Sequence, residues 1–576
     1  MKNTVIALLG TLLGVVAPAH DAPVASIADA PWWRNALIYE IYPRSFQDSD
    51  GDGTGDLNGI TSRLDYLATL GVDAIWITPF YPSPQVDFGY DIADYEAIDP
   101  QFGTLADFDR LILEARKRHI RVLLDMVLNH TSDQHPWFLD AASSRTNPKH
   151  DWYVWNDGKL DAAGNRMPPN NWVSLFGGPA WEWVPGLKQY YYHEFYAQQP
   201  DLNWRNPQVE KAMFGAMQFW LDRGVAGFRL DAVTRLFEDG RLRDNPSMPG
   251  VDDLGRAKLR DLYTDNLPEV HDTMRRLRKM VGKYPGDRVL IGETYLADTK
   301  ALDQWYGGSR HDELQLPMDM QFGFINKLDA DSFRQRLDEI YTQVHGSQPL
   351  LVFDNHDNTR SWDRYGDGIH DEQIARLIAT LLLTSKATAV LYQGQELGMR
   401  TATPQRKEDV RDPVGISNWP TNKGRDGERT PMQWDASSPQ AGFTTNAMPW
   451  LPVQRDYDSI NVHSELAAPD SLLNWYLKLI ALRRTQPALR ASRVVWLDRD
   501  NSSVLSYARL DARGNAILVA LNMSAAPQIV DLDLRHSGIR GDRLQTLMVS
   551  PENLPAVGSV HHIELVPFGS WVGALN

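Results

Sequence analysis

Eight short apolar runs recur along the chain, and each is followed by a stretch with helical spacing: Leu37–Phe46, Ala74–Phe80, Arg121–Leu128, Gly227–Val233, Val289–Thr294, Pro317–Phe322, Leu350–Asp354 and Ala389–Gln393. The helical stretches include Leu105–His119, Val209–Arg223, Leu267–Val281 and Asp331–Val344. A strand buried on both faces reads as a continuous apolar run, and a helical crossover returns the chain to start the next strand in the same direction. Eight such units in series predict a closed (β/α)8 TIM barrel rather than an open sheet. The alternation is expected over residues 31–129 and 204–490, ending in an amphipathic helix at Ser471–Thr485.

Three segments depart from it. Residues 130–203 are rich in Trp, Tyr, Asn, Pro and Gly and too long for a βα loop. They predict an inserted domain after the third strand, over the barrel mouth. A second long insertion runs from Arg400 to about Asp458. Beyond it the pattern turns to short alternating runs at Val494–Leu497, Val504–Leu510, Ala516–Asn522, Gln528–Leu534 and Ser570–Val572, which predict a C-terminal antiparallel β-sandwich over 494–576. The N-terminus has a positive Lys2, an apolar run Val5–Val16 and small residues at Ala17-Pro18-Ala19. That is the layout of a cleavable signal peptide over 1–19, too short to span a bilayer. The expected location is periplasmic or secreted, with no membrane association after processing.

The net charge of −16 disfavours nucleic acid and anionic membranes as partners. The absence of cysteine excludes disulfides and thiolate metal sites. A zinc-hydrolase HExxH is also absent, because after His193-Glu194 the fifth position is Ala197.

Chemistry is expected where barrel strands end, at the C-terminal face. GFRLDAV ends in Arg229 and Asp231, with Arg229 expected to hold that carboxylate ionised. DMVLNH carries Asp125, Asn129 and His130; IGET carries Glu293; FDNHD carries Asn355, His356 and Asp357. Acids at strand tips of one barrel converge on one mouth. Three carboxylates there cannot all ionise cheaply, so one is expected to keep its proton. An acid, a nucleophile and a stabilising anion are the parts needed to cleave a glycosidic bond.

These four motifs together resemble the signature regions of the α-amylase family of glycoside hydrolases. GVDAIWITP (Gly71–Pro79) and GQE (Gly394–Glu396) resemble its accessory regions. QPDLN (Gln199–Asn203) and GERTPMQWD (Gly427–Asp435) resemble markers of the α-glucosidase and oligo-1,6-glucosidase branch. The resemblance implies Asp231 as nucleophile, Glu293 as acid/base and Asp357 as transition-state stabiliser of a retaining enzyme. It implies that Arg229 positions Asp231, and that His130 and His356 bind sugar hydroxyls. It assigns the non-reducing glucose to Asp87 and Tyr90, with Arg429 paired to Asp87 behind the ring and Phe176 and Phe195 as apolar walls.

The loop from Asp48 to Asp56 has acids at alternate positions and Gly53 at the sixth, like the start of an EF-hand loop, but Gly59 where the bidentate Glu would be. The expected group is a structural Ca2+ or Mg2+ held by Asp48, Asp50, Asp52, the Thr54 carbonyl and Asp56, with no organic cofactor. A pocket closed by Asp87 and Arg429 implies a small sugar substrate taken from the chain end, by a monomer or homodimer. Ala232 follows the nucleophile; in relatives Val there goes with α-1,6 cleavage and Ala with α-1,4. The expected activity is an exo-acting α-glucosidase preferring maltose and aryl α-glucosides, with transglucosylation open. The alternatives are an oligo-1,6-glucosidase, or a sucrose isomerase or trehalose synthase.

Overall fold

The computed structural model describes residues 30–252, 255–438, 440–491, 493–535, 537–539, 543–552 and 558–575. The signal-peptide segment 1–19 lies outside them. Eight parallel strands form the barrel: β1 Leu37–Ile41, β2 Ala74–Ile77, β3 Arg121–Val127, β4 Gly227–Asp231, β5 Val289–Gly292, β6 Leu316–Pro317, β7 Leu350–Val352 and β8 Thr388–Tyr392. Their order around the ring follows the chain, with β1 beside β8, and a parallel bridge between Met318 and Leu350 joins β6 to β7.

Several predicted runs outlast their strands. The first ends at Ile41, and Pro43–Phe46 turns into a short helix because proline has no N–H for the ladder. The sixth is corrected more sharply: only Leu316–Pro317 is strand, and Met320–Gly323 is helical. An apolar run alone cannot separate a buried strand from a buried helical turn.

Strand parity builds two cores. Inside the barrel pack Ile38, Trp76, Leu123, Val289, Ile291, Leu350, Val352 and Val390. Outward neighbours such as Tyr39, Ile75, Leu124, Phe228 and Leu351 pack under the helices. Side chains alternate faces along a strand, so Glu40, Asp125, Arg229 and Asp231 share the inward face. The register sets Asp125 beside Arg229, and Glu40 beside Trp76 and Tyr392.

The helices carry their own stop and start signals. Leu105–Lys117 begins in a reciprocal Thr104–Asp107 capping box, and Pro207–Asp222 begins with Asn206 accepting the Gln208 N–H. Between His130 and Asn203 the chain forms a three-stranded antiparallel sheet from Trp155–Asn156, Gln189–Tyr192 and Trp181–Val184, over a small core of Trp172, Trp181, Tyr190 and Tyr192. Bridges from His130 to Asp201 and from Tyr153 to Leu202 bring the two ends of this excursion together. The C-terminal part has a five-stranded antiparallel sheet, ordered Arg493–Trp496, Val504–Leu510, Ala516–Asn522, Ser570–Leu575, Leu544–Ser550. Gln528–Val530 and Ile563–Leu565 pair as a second sheet, and the two share one core. No helix among the described residues is long and apolar enough to cross a membrane.

Candidate active site

The inward face at the top of β3, β4 and β5 places three carboxylates around one guanidinium. Arg229 Nη1 lies 2.6 Å from Asp231 Oδ1 and 2.9 Å from Asp125 Oδ1, and its Nη2 lies 2.8 Å from Glu293 Oε1. Glu293 Oε2 also accepts the Ala232 N–H at 3.0 Å. Ala232 can make that contact because it sits in the left-handed region at φ 42°. The turn points its N–H back across the mouth.

The single cation does not keep Asp231 in the ordinary carboxylate range, which corrects the expectation from sequence. Burial pushes that carboxyl well up; Arg229 pulls it down, and Glu293 and Asp125 add to the rise. Arg229 is shared too widely for its charge to settle on one partner.

Asp357 has the opposite environment. Arg429 Nη2 donates to its Oδ1 at 2.7 Å and Arg425 Nη1 at 3.2 Å. Burial raises this carboxyl, but His356, Arg425 and Arg429 outweigh it and hold it below the usual range. Side-chain exposures of 12% for Asp231, 9% for Glu293 and 22% for Asp357 show that none of the three is sealed in the core.

The expected pair of Arg429 with Asp87 is not formed. Arg425 Nη2 makes that contact at 2.8 Å. Arg429 is occupied elsewhere, donating from Nε to the His356 carbonyl at 2.8 Å as well as to Asp357. Asp412 aims Arg425, accepting its backbone N–H at 2.7 Å and its Nε at 2.8 Å. Asp426 in turn accepts the N–H groups of Arg411 and Asp412. Gln199 Nε2 donates to the other oxygen of Asp87 at 3.2 Å.

Tyr90 and both histidines lie in the same cluster. Tyr90 Oη reaches Asp125 Oδ2 at 3.1 Å and His356 Nε2 at 2.8 Å. His130 Nδ1 meets Asn129 Oδ1 at 2.9 Å, and Gln199 Nε2 meets its Nε2 at 3.0 Å. Nδ1 thus faces an acceptor, while Nε2 faces both the Gln199 amide donor and, at 3.2 Å, the Tyr90 carbonyl oxygen. Burial holds His130 at about 3, hence neutral. Phe195 packs against His130 at 5.1 Å between ring centroids, and Phe176 lies 5.5 Å from Phe195 with Arg425 over its other side at 5.5 Å. Both phenylalanines are half-buried walls.

Arg425, Asp412 and the exposed aromatics Tyr295 and Phe324 escaped sequence reasoning. Tyr295, two residues past Glu293, is 42% exposed; Phe324, at 51%, stacks on it with centroids 5.6 Å apart. Arg425 and Asp412 lie in an insertion without periodicity, and only Arg425's nearness to the GERTPMQWD segment marks it.

In the loop after β1, Asp48, Asp50 and Asp56 offer ligand oxygens within 4.8 Å of one another. Asp52 lies outside that group of side chains. Oxygen-only donors suit a hard divalent cation such as Ca2+ or Mg2+. Gly59 cannot be the missing bidentate Glu, since a Cβ there would lie 1.9 Å from the Gln47 carbonyl oxygen. Asp56 folds in instead, capping the helix Leu57–Ser62 through the Gly59 N–H.

A barrel whose mouth gathers an acid pair around one arginine and an ionised third carboxylate defines a sugar-cleaving hydrolase. The family described as alpha amylase, catalytic domain, matches residues 40–492, and the chain belongs to that family. It is 42% identical to a probable alpha-glucosidase of Rhizobium meliloti (strain 1021), over 88% of this chain and 92% of that one. It is 38% identical to an oligo-1,6-glucosidase of Heyndrickxia coagulans, over 86% of this chain and 92% of that one. A solved structure of the alpha-glucosyl transfer enzyme XgtA superposes with a TM-score of 0.86 at 40% identity, covering 95% of this chain and 100% of that one. The protein is therefore a glycoside hydrolase of the α-glucosidase branch.

Proposed function

We propose that the protein is a retaining, exo-acting α-glucosidase that prefers α-1,4-linked short substrates. The carrying observation is the one guanidinium that holds Asp231 and Glu293 on adjacent nitrogens. A shared guanidinium brings the two carboxylates close together, which supports a retaining pair, whose nucleophile and acid stand roughly 5–5.5 Å apart.

Asp231 attacks the anomeric carbon while the bond to the leaving oxygen breaks and Glu293 supplies that oxygen with a proton. Water then attacks the same carbon, gives its proton to Glu293 and releases Asp231. Asp357, kept ionised by its two arginines, faces the positive charge that develops between these steps. In the free site both Glu293 oxygens accept hydrogen bonds. Delivering a proton requires the leaving-group oxygen to displace one of those contacts. Arg425, Asp87 and Asp412 close the pocket behind the glucose ring, which supports attack at chain ends only.

Asp231→Ala assayed on an aryl α-glucoside tests the core of this reading; a loss of about 10⁴-fold in kcat is expected, and near-normal turnover would overturn it. The linkage preference rests on the room that Ala232 leaves. It predicts a higher kcat/KM for maltose than for isomaltose, and the reverse order would favour an oligo-1,6-glucosidase. An ester intermediate can also pass its glucosyl group to a sugar, and the name of XgtA gives transfer a place beside hydrolysis. Product profiles at high maltose separate the two.

A structural Ca2+ or Mg2+ at Asp48, Asp50 and Asp56 belongs to the same reading. Chelation is expected to lower Tm, with recovery on adding one of the two ions. Export through residues 1–19 predicts a mature N-terminus after Ala19, checked by N-terminal sequencing.

A further inference from the structure

Glu40 stands on β1 with its side chain inside the barrel, wholly buried. Its Oε1 lies 2.6 Å from His356 Nδ1 and 3.3 Å from the His356 backbone N–H, and its Oε2 meets no donor of the protein. Among the described residues, His356 is the one basic side chain within ion-pair distance of it. The imidazole cannot turn away. Tyr42 stacks on it at 5.7 Å between centroids and 21°, Tyr90 at 5.5 Å and 7°, and Trp76 meets it edge-on at 6.3 Å.

The hydrogens can be placed by elimination. Nε2 lies 3.2 Å from Asp357 Oδ2 and 2.8 Å from Tyr90 Oη. Asp357 is ionised and only accepts, so a bare Nε2 would set a lone pair against a carboxylate. Nε2 therefore carries hydrogen, shared between Asp357 and the Tyr90 oxygen, and Tyr90 donates its own proton to Asp125 Oδ2 at 3.1 Å. A neutral ring protonated on Nε2 has its lone pair on Nδ1. The short contact to Glu40 then needs a proton from the carboxyl side.

We propose that Glu40 is a positioning residue that stays protonated and donates to His356 Nδ1, fixing the tautomer whose Nε2–H steadies Asp357. This deepens the glycosidase reading and rests on its assignment of Asp357. The ion-pair alternative would leave a charged, buried Oε2 with no protein donor. The surroundings agree. Burial pushes the Glu40 carboxyl well above its ordinary range; Arg229 and the His356 backbone N–H oppose that, and Asp357 and Asp125 reinforce it. Burial brings His356 down to about 3, against the pull of Asp357, with Arg429, Arg229 and Arg425 adding to the fall. Tyr42 and Tyr392 complete the facing groups, and both phenols are driven up by burial.

The test needs no turnover for its first arm. In protein labelled with 15N-histidine, with His356 assigned by loss of its signals in His356→Gln, Nε2 should be protonated and Nδ1 bare from about pH 5 to 8. Two protonated nitrogens at neutral pH, or hydrogen on Nδ1 alone, would overturn the proposal whatever the enzyme cleaves. The second arm is kinetic. Glu40→Gln keeps a neutral donor and should retain kcat/KM on an aryl α-glucoside within about threefold, with an unmoved acid limb. Glu40→Leu removes the donor, lets the ring protonate on Nδ1, and should lower kcat by about 100-fold with a displaced pH profile. Equal impairment of the two variants, or near-full activity of Glu40→Leu, would also overturn it. If Glu40→Leu does not fold, the nitrogen signals and Glu40→Gln decide.

Discussion

The two ends of the pocket treat charge in opposite ways. At one end, Asp87, Asp357 and Asp412 meet Arg425 and Arg429 in a lattice of direct contacts. At the reacting end, Asp125, Asp231 and Glu293 share Arg229 alone. The first arrangement holds the Asp357 and Asp412 carboxyls below the usual range through Arg425 and Arg429, although burial still raises Asp87. The second is short of positive charge, and burial together with the neighbouring carboxylates raises Asp231 and Asp125 there. Two residues past Glu293, Tyr295 stacks with Phe324, both rings exposed.

The strongest way to break this comparison is at the paired end. Arg425→Gln leaves Asp87 and Asp412 buried without their partner, a loss of about 3–5 kcal/mol when one side of a buried pair is removed. We expect kcat/KM on an aryl α-glucoside to fall about 10²–10³-fold, mainly through KM. Arg429→Gln should act instead on kcat, because its ion pair goes to Asp357 alone and it holds the His356 carbonyl, whereas Arg425 also carries Asp87 and Asp412. If both variants changed the same parameter, the division between recognition and chemistry would not hold.

That division was only half legible in the sequence. The reacting end sits at strand tips, where local pattern and barrel geometry together predict which side chains converge. Spacing and motif therefore place Asp231, Glu293 and Asp357 at strand tips, each beside an arginine in the structure. The paired end depends on an insertion whose path no periodicity encodes, so Arg429 was matched to Asp87 when Arg425 makes the contact. Glu40 was missed for a different reason. An acid inside an apolar run breaks the strand pattern by one residue, and only the register, with Ile38 inward, shows that it faces the site. The same limit misjudged the sixth strand, where a short apolar run continued into a helix.

Ala232→Val probes the reacting end next. The residue's left-handed backbone disfavours β-branching by roughly 1–2 kcal/mol, and its N–H holds Glu293. The maltose-to-isomaltose ratio of kcat/KM should fall about tenfold. An unchanged ratio would separate linkage preference from this turn. A smaller effect belongs to the exposed ring pair. Tyr295→Ala or Phe324→Ala removes a ring pair of about 0.5–1.5 kcal/mol, so KM for an aryl glucoside should rise two- to tenfold. The fraction of product formed by transfer should shift with it, as read from sugar profiles at high maltose.

The smallest effect expected concerns protons at the paired end. Burial holds His130 and His356 at about 3, against an ordinary 6.5. Their folded values are depressed, so between about pH 3 and 6.5 the unfolded chain binds more protons than the folded one, and stability rises with pH through that window. Each imidazole should make the protein about 1 kcal/mol less stable at pH 5.5 than at pH 7, measured by urea unfolding. His130→Asn should remove its share of that slope. Over the same range neither ring changes charge in the folded protein, so inhibition by free glucose should stay flat. A glucose affinity that follows a pKa near 6.5 would mean that this end titrates too, and that the difference between the two ends is one of degree.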